Sequence, residues 1–451
     1  MPVPHRPRRL LAAALPAALA LLMAACSTRY PNSVFTHFTE FNRDIGYLFQ
    51  ILIWLGTFVF IFVEAILLYT IWRYRRRGEN DRPEHVHGNT TLEILWTAIP
   101  ALILAFIAVP TVRTIFRTQD KAKADALQVE VVGHQWWWEF RYPQYTKTRA
   151  SGQVDTLVTA NELYLPVGRT VNFTLRTQDV LHSFWIPQLG GKRDLIANHV
   201  NYLWFTPDST GEQAWNGFCA EYCGASHANM RFKTFTVMPA NFAAWTAHQL
   251  SVAAFGPPAA PDRAATAAPA TTGLATANPA TKPDVARPPV PVAASAPASD
   301  TTAAAGVQLA GFVFPHDKLP SHVIPNTPIP AGMSFNESLV GDAERGRAAI
   351  SGGAGACMGC HTIAGNPVMV GKIGPNLTHV ASRTTIAGGI YPNDRKHLSL
   401  WVKNARWMKP GVLMPTLGAF QRDPVTKQTV PQTGLTDQQI ADIVAYLQAL
   451  K

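Results

Sequence analysis

Cysteine is scarce in this chain, with five in 451 residues. Cys26 follows an apolar leader, Cys219 and Cys223 share one short run, and Cys357 and Cys360 share another. None is left over for a structural disulfide, which excludes a disulfide-stapled scaffold although the compartment reads as extracytoplasmic. Charge is also sparse: Asp, Glu, Lys and Arg together make 15% of the chain. The net charge is +10, but Arg6, Arg8 and Arg9 lie in the leader and further arginines cluster beside an apolar run. No basic groove interleaved with aromatics is present, which excludes a nucleic-acid partner.

What is present falls into segments, and the length allows two or three domains. Residues 1–25 read as a secretory signal: a basic start, an apolar run from Leu10, and Ala24-Ala25 before Cys26. Residues 26–46 follow on the outer side. Two apolar runs, 47–72 and 92–114, are each long enough to span a bilayer as a helix, giving a hairpin over 47–115. Arg73, Arg75, Arg76, Arg77 and Arg82 lie between them and place that loop in the cytoplasm. Everything after about residue 115 is then periplasmic. Glu93 is the one ionisable residue between Leu92 and Val112. An intramembrane carboxylate of this kind is either functional or a snorkelling interfacial group, and both readings stand.

Residues 125–250 change to period-two alternation. Leu127, Val129 and Val131 alternate with polar residues, as do Val171, Phe173 and Leu175. This spacing predicts an all-β sandwich or barrel. Just before the last predicted strand lies Cys219-Ala-Glu221-Tyr-Cys223-Gly-Ala-Ser-His227-Ala-Asn-Met230. Thiolates, imidazole and thioether favour copper over magnesium, calcium or manganese. Two other readings are a Cys219–Cys223 disulfide, which leaves His227 and Met230 unexplained, and a structural zinc site, in which methionine is unusual.

Residues 251–335 are rich in Ala, Pro and Thr and read as a linker. Residues 336–451 form a third unit. Asp342 opens a helix leading to Cys357-Met-Gly-Cys360-His361, the attachment signature of a c-type haem. Thr436 caps a closing amphipathic helix with Ile440, Ile443, Val444 and Leu447 on one face.

The copper run resembles the dinuclear CuA centre of cytochrome c oxidase subunit II, and its place before a last strand resembles a cupredoxin. The resemblance extends over most of the chain, including the helix hairpin and a fused cytochrome c. It implies a multidomain fold: a two-helix transmembrane hairpin, an all-β cupredoxin-like CuA domain, and an all-α class I cytochrome c domain. It implies His182, from Asp179-Val-Leu-His182-Ser-Phe-Trp, as a further copper ligand beside Cys219, Glu221 (through its main-chain carbonyl), Cys223, His227 and Met230. The Glu221 side chain would reach a magnesium or manganese ion shared with subunit I. Lys192-Arg193-Asp194 resembles the family's motif near that ion, although Ala197-Asn198 stand where the family often has Pro-Gly. His134-Gln135-Trp136-Trp137-Trp138 resembles the aromatic stretch over the copper, with Trp136 as electron entry. A strand packed by large aromatics would read the same way.

Lys409-Pro-Gly-Val-Leu-Met414-Pro resembles the class I cytochrome c sequence around the axial methionine, making Met414 the expected partner of His361. Met408, Met369 or a second histidine, His379 or His397, are the alternatives. Glu93 corresponds to the family's glutamate at the mouth of a proton-uptake path. The resemblance implies that electrons enter through haem c, pass through CuA to the haem of subunit I, and there reduce dioxygen with proton pumping. Partners would be subunit I, subunit III, membrane lipid, and an external donor such as a cytochrome c or a bc complex. The location implied is the bacterial inner membrane. The electron inlet of a nitric oxide reductase, a nitrous oxide reductase and a copper-assembly protein are the competing classes. Leu22-Met23-Ala24-Ala25-Cys26 resembles a lipidation signal with an atypical Met23, so both lipidation at Cys26 and plain cleavage are open.

The haem-bearing unit, 337–451, carries twelve Lys or Arg against seven Asp or Glu, whereas 125–250 carries nine against ten. Attraction between them is expected to be modest and salt-screened. The linker is therefore expected to act as a tether, at an effective concentration of about a millimolar.

Overall fold

The fold is described from a computed structural model, in which residues 32–76, 78, 87–119, 125–149, 152–208, 211–253 and 311–451 are placed. The signal, Cys26, Arg77, Arg82 and the greater part of the Ala/Pro/Thr stretch lie outside these residues.

Helix α1 (Glu40–Tyr74) begins where the Thr39 side chain accepts the Asn42 amide. Helix α2 (Thr90–Gln119) follows Asn89, whose side chain accepts the amides of Thr91 and Leu92. Both run past the expected 47–72 and 92–114 because their polar caps lie outside the apolar runs. Both are long and apolar enough to cross a membrane. Their large apolar side chains are bare, Trp54 at 72% and Phe106 at 67% exposure. At about 25 cal/mol per Å² of apolar surface, that is unfavourable in water and consistent with a lipid setting. Pro100 and Pro110 lie inside α2, as membrane helices tolerate. The base of α1 is rooted in the next unit: Phe41 is buried in its core, Asn42 Nδ2 donates to the Pro187 carbonyl at 2.9 Å, and Arg43 pairs with Asp208 at 2.6 Å.

Ten strands follow: β1 (Leu127–His134), β2 (Trp137–Thr148), β3 (Val154–Ala160), β4 (Glu162–Pro166), β5 (Val171–Thr177), β6 (His182–Trp185), β7 (Arg193–Leu195), β8 (Asn201–Phe205), β9 (Gln213–Cys219) and β10 (Arg231–Val237). They form two five-stranded sheets, ordered β3-β2-β1-β5-β8 and β4-β10-β9-β6-β7. The alternation read from sequence is the burial pattern. Leu127, Val129, Val131, Val171, Phe173 and Leu175 face the core between the sheets, where Trp138, Phe184 and Phe232 pack edge to face or stacked. Helix α3 (Pro239–Gln249) closes one end with Phe242 and Trp245.

The stretch expected as linker differs from that expectation over its described end. Phe314 and Val323 are each 1% exposed within the sandwich core, and the Phe314 amide donates to the Tyr164 hydroxyl. One aromatic and one β-branched residue in a proline-rich run were enough to anchor it.

The third unit has its own core. Helix α4 (Ala343–Ser351) is capped by Asp342, α5 (Arg395–Met408) by Asp394, and α6 (Asp437–Ala449) by a Thr436–Gln439 capping box. A two-stranded ribbon, β11 (Thr385–Ile386) and β12 (Tyr391–Pro392), precedes α5. α4 stops at Gly352, and a separate 3-10 turn (Ala354–Gly359) carries the chain to Cys360.

Asp423 pins the loop after Met414. Burial pushes its carboxyl up, but the amides of Thr426 and Val425 and the Arg406 guanidinium outweigh that and hold it well below the usual carboxylate range. A depressed carboxylate contributes stability above its unfolded pKa of about 4 and loses it as pH falls. Asp423→Asn should therefore destabilise this unit by about 1.5–3 kcal/mol near neutrality. The gap between thermal melts of the two proteins should begin to narrow below about pH 4 and close only well below it, as pH falls through the folded-state pKa.

Candidate metal centre

Three loop or strand ends converge at one end of the sandwich. His182 opens β6, Cys219 ends β9, and Cys223, His227 and Met230 lie on the connection to β10. β6 and β9 are paired, with Phe184 opposite Cys219, which brings His182 to the thiols. The two Sγ atoms are 3.7 Å apart, far beyond a disulfide's ~2.05 Å. His182 Nδ1 is 3.8 Å from Cys219 Sγ, His227 Nδ1 is 3.6 Å from Cys223 Sγ, and Met230 Sδ is 3.8 Å from Cys223 Sγ. The Glu221 carbonyl lies 3.2 Å from Cys219 Sγ, while its side chain is exposed. Gly224, at φ +109°, makes the turn between the second thiol and His227. A Cβ there would come within 3.0 Å of the Trp136 ring.

The electrostatics suit cations of intermediate softness. The Cys219 thiol is pushed well below the usual thiol range, chiefly by the Cys223 thiol donating to it and then, against burial, by His182. The partner thiol Cys223 is pushed up by the thiolate beside it and by burial. A second proton leaves readily only when positive charge replaces it. Two thiols, two inward-facing imidazoles, a thioether and a carbonyl, with no carboxylate aimed inward, fit copper. A site of magnesium or calcium type would need several oxygens.

Asp179 was not singled out by the sequence reading. Its Oδ1 lies 2.9 Å from His182 Nε2, which leaves Nδ1 for the thiols. Only its place three residues before a histidine hinted at this. Such outer partners fix the ring and raise its basicity. Asp179→Asn should lower copper affinity about 10–100-fold, read by competition with a chelator.

The three tryptophans have three different surroundings. Trp138 is fully buried with its Nε1 toward the Met230 carbonyl, Trp137 stacks on His134, and Trp136 Nε1 donates to the Cys223 carbonyl at 2.9 Å. Gln135 Nε2 donates to the same carbonyl at 2.8 Å.

In the third unit His361 Nδ1 faces the Pro375 carbonyl at 2.8 Å, which leaves Nε2 as the nitrogen free to serve as a ligand. Cys357 and Cys360 are free thiols. Val370, Ile373 and Leu413 are 60–70% exposed, on segments beside His361 and Met414. Bare apolar side chains around two thiols and an oriented imidazole fit a covalently held macrocycle. Met414 is partly exposed on its loop, whereas Met408 and Met369 are core residues at 3% and 0% exposure. His379 turns to the Ser251 carbonyl, 3.1 Å away, and His397 to Asp394 at 2.8 Å. Glu93 sits exposed in the first turn of α2.

Three family models match in chain order: the cytochrome c oxidase subunit II transmembrane domain over 39–114, its periplasmic domain over 127–237, and cytochrome c over 343–451. The cytochrome c oxidase subunit 2 of Alkalihalophilus pseudofirmus is 29% identical over 87% of this chain and 83% of its own length. The probable cytochrome c oxidase subunit 2 of Rickettsia bellii is 32% identical over 46% of this chain and 79% of its own. The crystal structure of the periplasmic domain of subunit II of Bradyrhizobium japonicum cytochrome oxidase is 31% identical, covers 28% of this chain and 94% of that one, and gives a TM-score of 0.23. With two membrane-type helices and an extracellular-side β domain in place, this chain belongs to the cytochrome c oxidase subunit II family and carries a fused C-terminal cytochrome c domain.

Proposed function

We propose that this chain is the electron inlet of a bacterial inner-membrane cytochrome c oxidase, taking electrons at a covalent haem c and handing them through a dinuclear CuA centre toward the haem of subunit I. His182, Cys219, Cys223, His227, Met230 and the Glu221 carbonyl would hold the copper. Cys357, Cys360, His361 and Met414 would hold the haem. Bound, these groups supply one-electron carriers of low reorganisation; dioxygen reduction and proton pumping belong to subunit I.

The observation that carries this reading is the convergence of His182, Cys219 and Cys223 within 4.8 Å of one another, with His227 Nδ1 and Met230 Sδ 3.6 and 3.8 Å from Cys223 Sγ, capped by an aromatic hydrogen-bonded to a ligand's own carbonyl. The protein's part is positioning. Asp179 orients His182, Pro375 orients His361, and Trp136 and Gln135 fix the Cys223 carbonyl. The buried sandwich end excludes water from the thiols, Cys219 being 8% and Cys223 3% exposed. The exposed Glu221 carboxylate is free to reach a hard cation shared with subunit I, and Glu93 stands where a proton path could begin. A cytochrome c or bc complex would be the donor, with subunit III completing the assembly.

The test is anaerobic. The complex purified from membranes is mixed with a reduced donor, and haem c and copper absorbances are followed before oxygen is admitted. Reduction of haem c ahead of copper, followed by oxygen uptake, is expected. Uptake of nitric oxide without oxygen uptake would assign the inlet to a nitric oxide reductase.

A further inference from the structure

Glu162 opens β4 on the face of the sandwich where the haem-bearing unit sits. It is 4% exposed. Its Oε1 accepts from the Thr384 amide and the Thr384 hydroxyl, both at 2.6 Å, and from the Thr385 amide at 3.3 Å. Each of these donors comes from the haem-bearing unit. A buried carboxylate is costly unless donors replace its water, so this one is matched to a partner surface rather than to its own sandwich. Burial pushes its carboxyl above the usual range, while the Thr384 and Thr385 donors and the charge of nearby Arg383 act the other way; among the described residues no Lys or Arg forms an ion pair with it.

A second contact lies at the other end of the same interface. Lys409, 1% exposed, donates from Nζ to the Trp136 carbonyl at 2.6 Å and to the Ala387 carbonyl at 2.9 Å. The Arg231 amide donates to the Gly388 carbonyl at 3.0 Å, and Ser226 Oγ donates to the Pro410 carbonyl. Gly411, at φ +83°, lies so close that a Cβ would approach the Trp136 ring to 2.7 Å. The loop leading to Met414 is therefore seated on the aromatic that bonds the Cys223 carbonyl.

From this geometry we infer that Glu162 is a docking and positioning residue: it receives the Thr384–Thr385 backbone and, with Lys409 at the opposite end, fixes the haem-bearing unit in one register over Trp136. The inference rests on the electron-inlet reading only for its purpose; docking itself is independent of it. The charge count of the two units gives no hint of this lock, because its contacts are short, buried and mostly to backbone. The tether then restores a docked state that the interface already favours.

The test uses the detergent-solubilised holo complex with a protease site inserted at Ser338, which is exposed and lies after the Phe314–Val323 anchor. After cleavage, the fragment 339–451 is followed by a C-terminal tag through gel filtration and by its haem absorbance. The fragment should co-elute with the rest of the complex at micromolar concentration. Glu162→Ala should weaken that association about a hundredfold, as loss of a charge-assisted contact of this kind implies, and release the fragment, with haem and copper spectra unchanged. Glu162→Gln, which keeps an acceptor oxygen, should recover part of the association. Lys409→Met and Thr384→Val, made on the other side, should weaken it without touching β4. In the uncut Glu162→Ala chain, flash-induced electron transfer from haem c should become slow and heterogeneous. Release of the uncut-sequence fragment would overturn the built interface. Retention in Glu162→Ala and Lys409→Met alike would overturn the residue assignment. Failure of the chain to bind copper would count against the electron-inlet reading and leave co-elution readable.

Discussion

Replacing Cys223 or Cys219 by serine is expected to abolish the delocalised two-copper signal and oxygen uptake together. Each thiol sits 3.6–3.8 Å from an imidazole or thioether partner and 3.7 Å from the other thiol, so both are central to the cluster. A serine hydroxyl is a hard, high-pKa donor that cannot act as a soft bridging ligand. The fold should survive, because the sandwich core lies between the sheets and a hydroxyl is close to a thiol in size. The haem c spectrum should also survive, since the haem-bearing unit has its own core. Met230→Leu should act more mildly: copper stays bound and its potential shifts, because a thioether is a weak donor. Electron paramagnetic resonance and oxygen electrode traces on the same preparations read both effects. A persistent two-copper signal in Cys223→Ser would show the ligand set to be wrong.

Met414→Ala should convert the haem to a lower-potential or high-spin form, whereas Met408→Ala should not. Met408 is 3% exposed, packs in the core of its unit, and its carbonyl accepts the Tyr391 hydroxyl at 3.0 Å. Its loss leaves a cavity costing about 2–5 kcal/mol and an unchanged visible spectrum. Met414 is partly exposed on its loop, and loss of an axial thioether lowers the potential. Redox titration of the two variants separates them. The opposite pattern would move the ligand to Met408.

The two candidate donor clusters were legible in the sequence because both motifs are local. Cys219 through Met230 fit within one connection, and Cys357 through His361 within one turn. The helix cap at Thr436 was legible for the same reason, as was a helix starting at Asp342, although that helix stops at Ser351 short of the Cys357 turn. What was hidden is non-local. Glu162 meets Thr384 across 222 residues, and Phe314 meets Tyr164 across 150, so neither leaves a pattern in its own neighbourhood. Phe312 and Phe314 stood out in the proline-rich stretch as residues that could lie against a surface, but nothing local to them named that surface, which for Phe314 is the sandwich core. The helix ends were missed because Thr39 and Asn89 act through polar caps, while hydropathy reports only the apolar middle. Asp179 was visible as a residue but not as a partner, since a turn places it against His182 Nε2.

The docked arrangement changes what cutting the chain should do, and leaves the response to salt as it was. A tethered encounter of weakly charged units would be insensitive to ionic strength and lost on cleavage. A short-range lock of buried hydrogen bonds is equally insensitive to ionic strength but survives cleavage, so only cutting the chain distinguishes the two.

The central claim is tested most directly by electron paramagnetic resonance on the purified, oxidised complex, with copper and haem quantified in the same sample. The account predicts two copper ions and one covalent haem for each copy of this chain, with one unpaired electron shared between the two coppers. A single copper with a localised signal, zinc in its place, or a Cys219–Cys223 disulfide would contradict it.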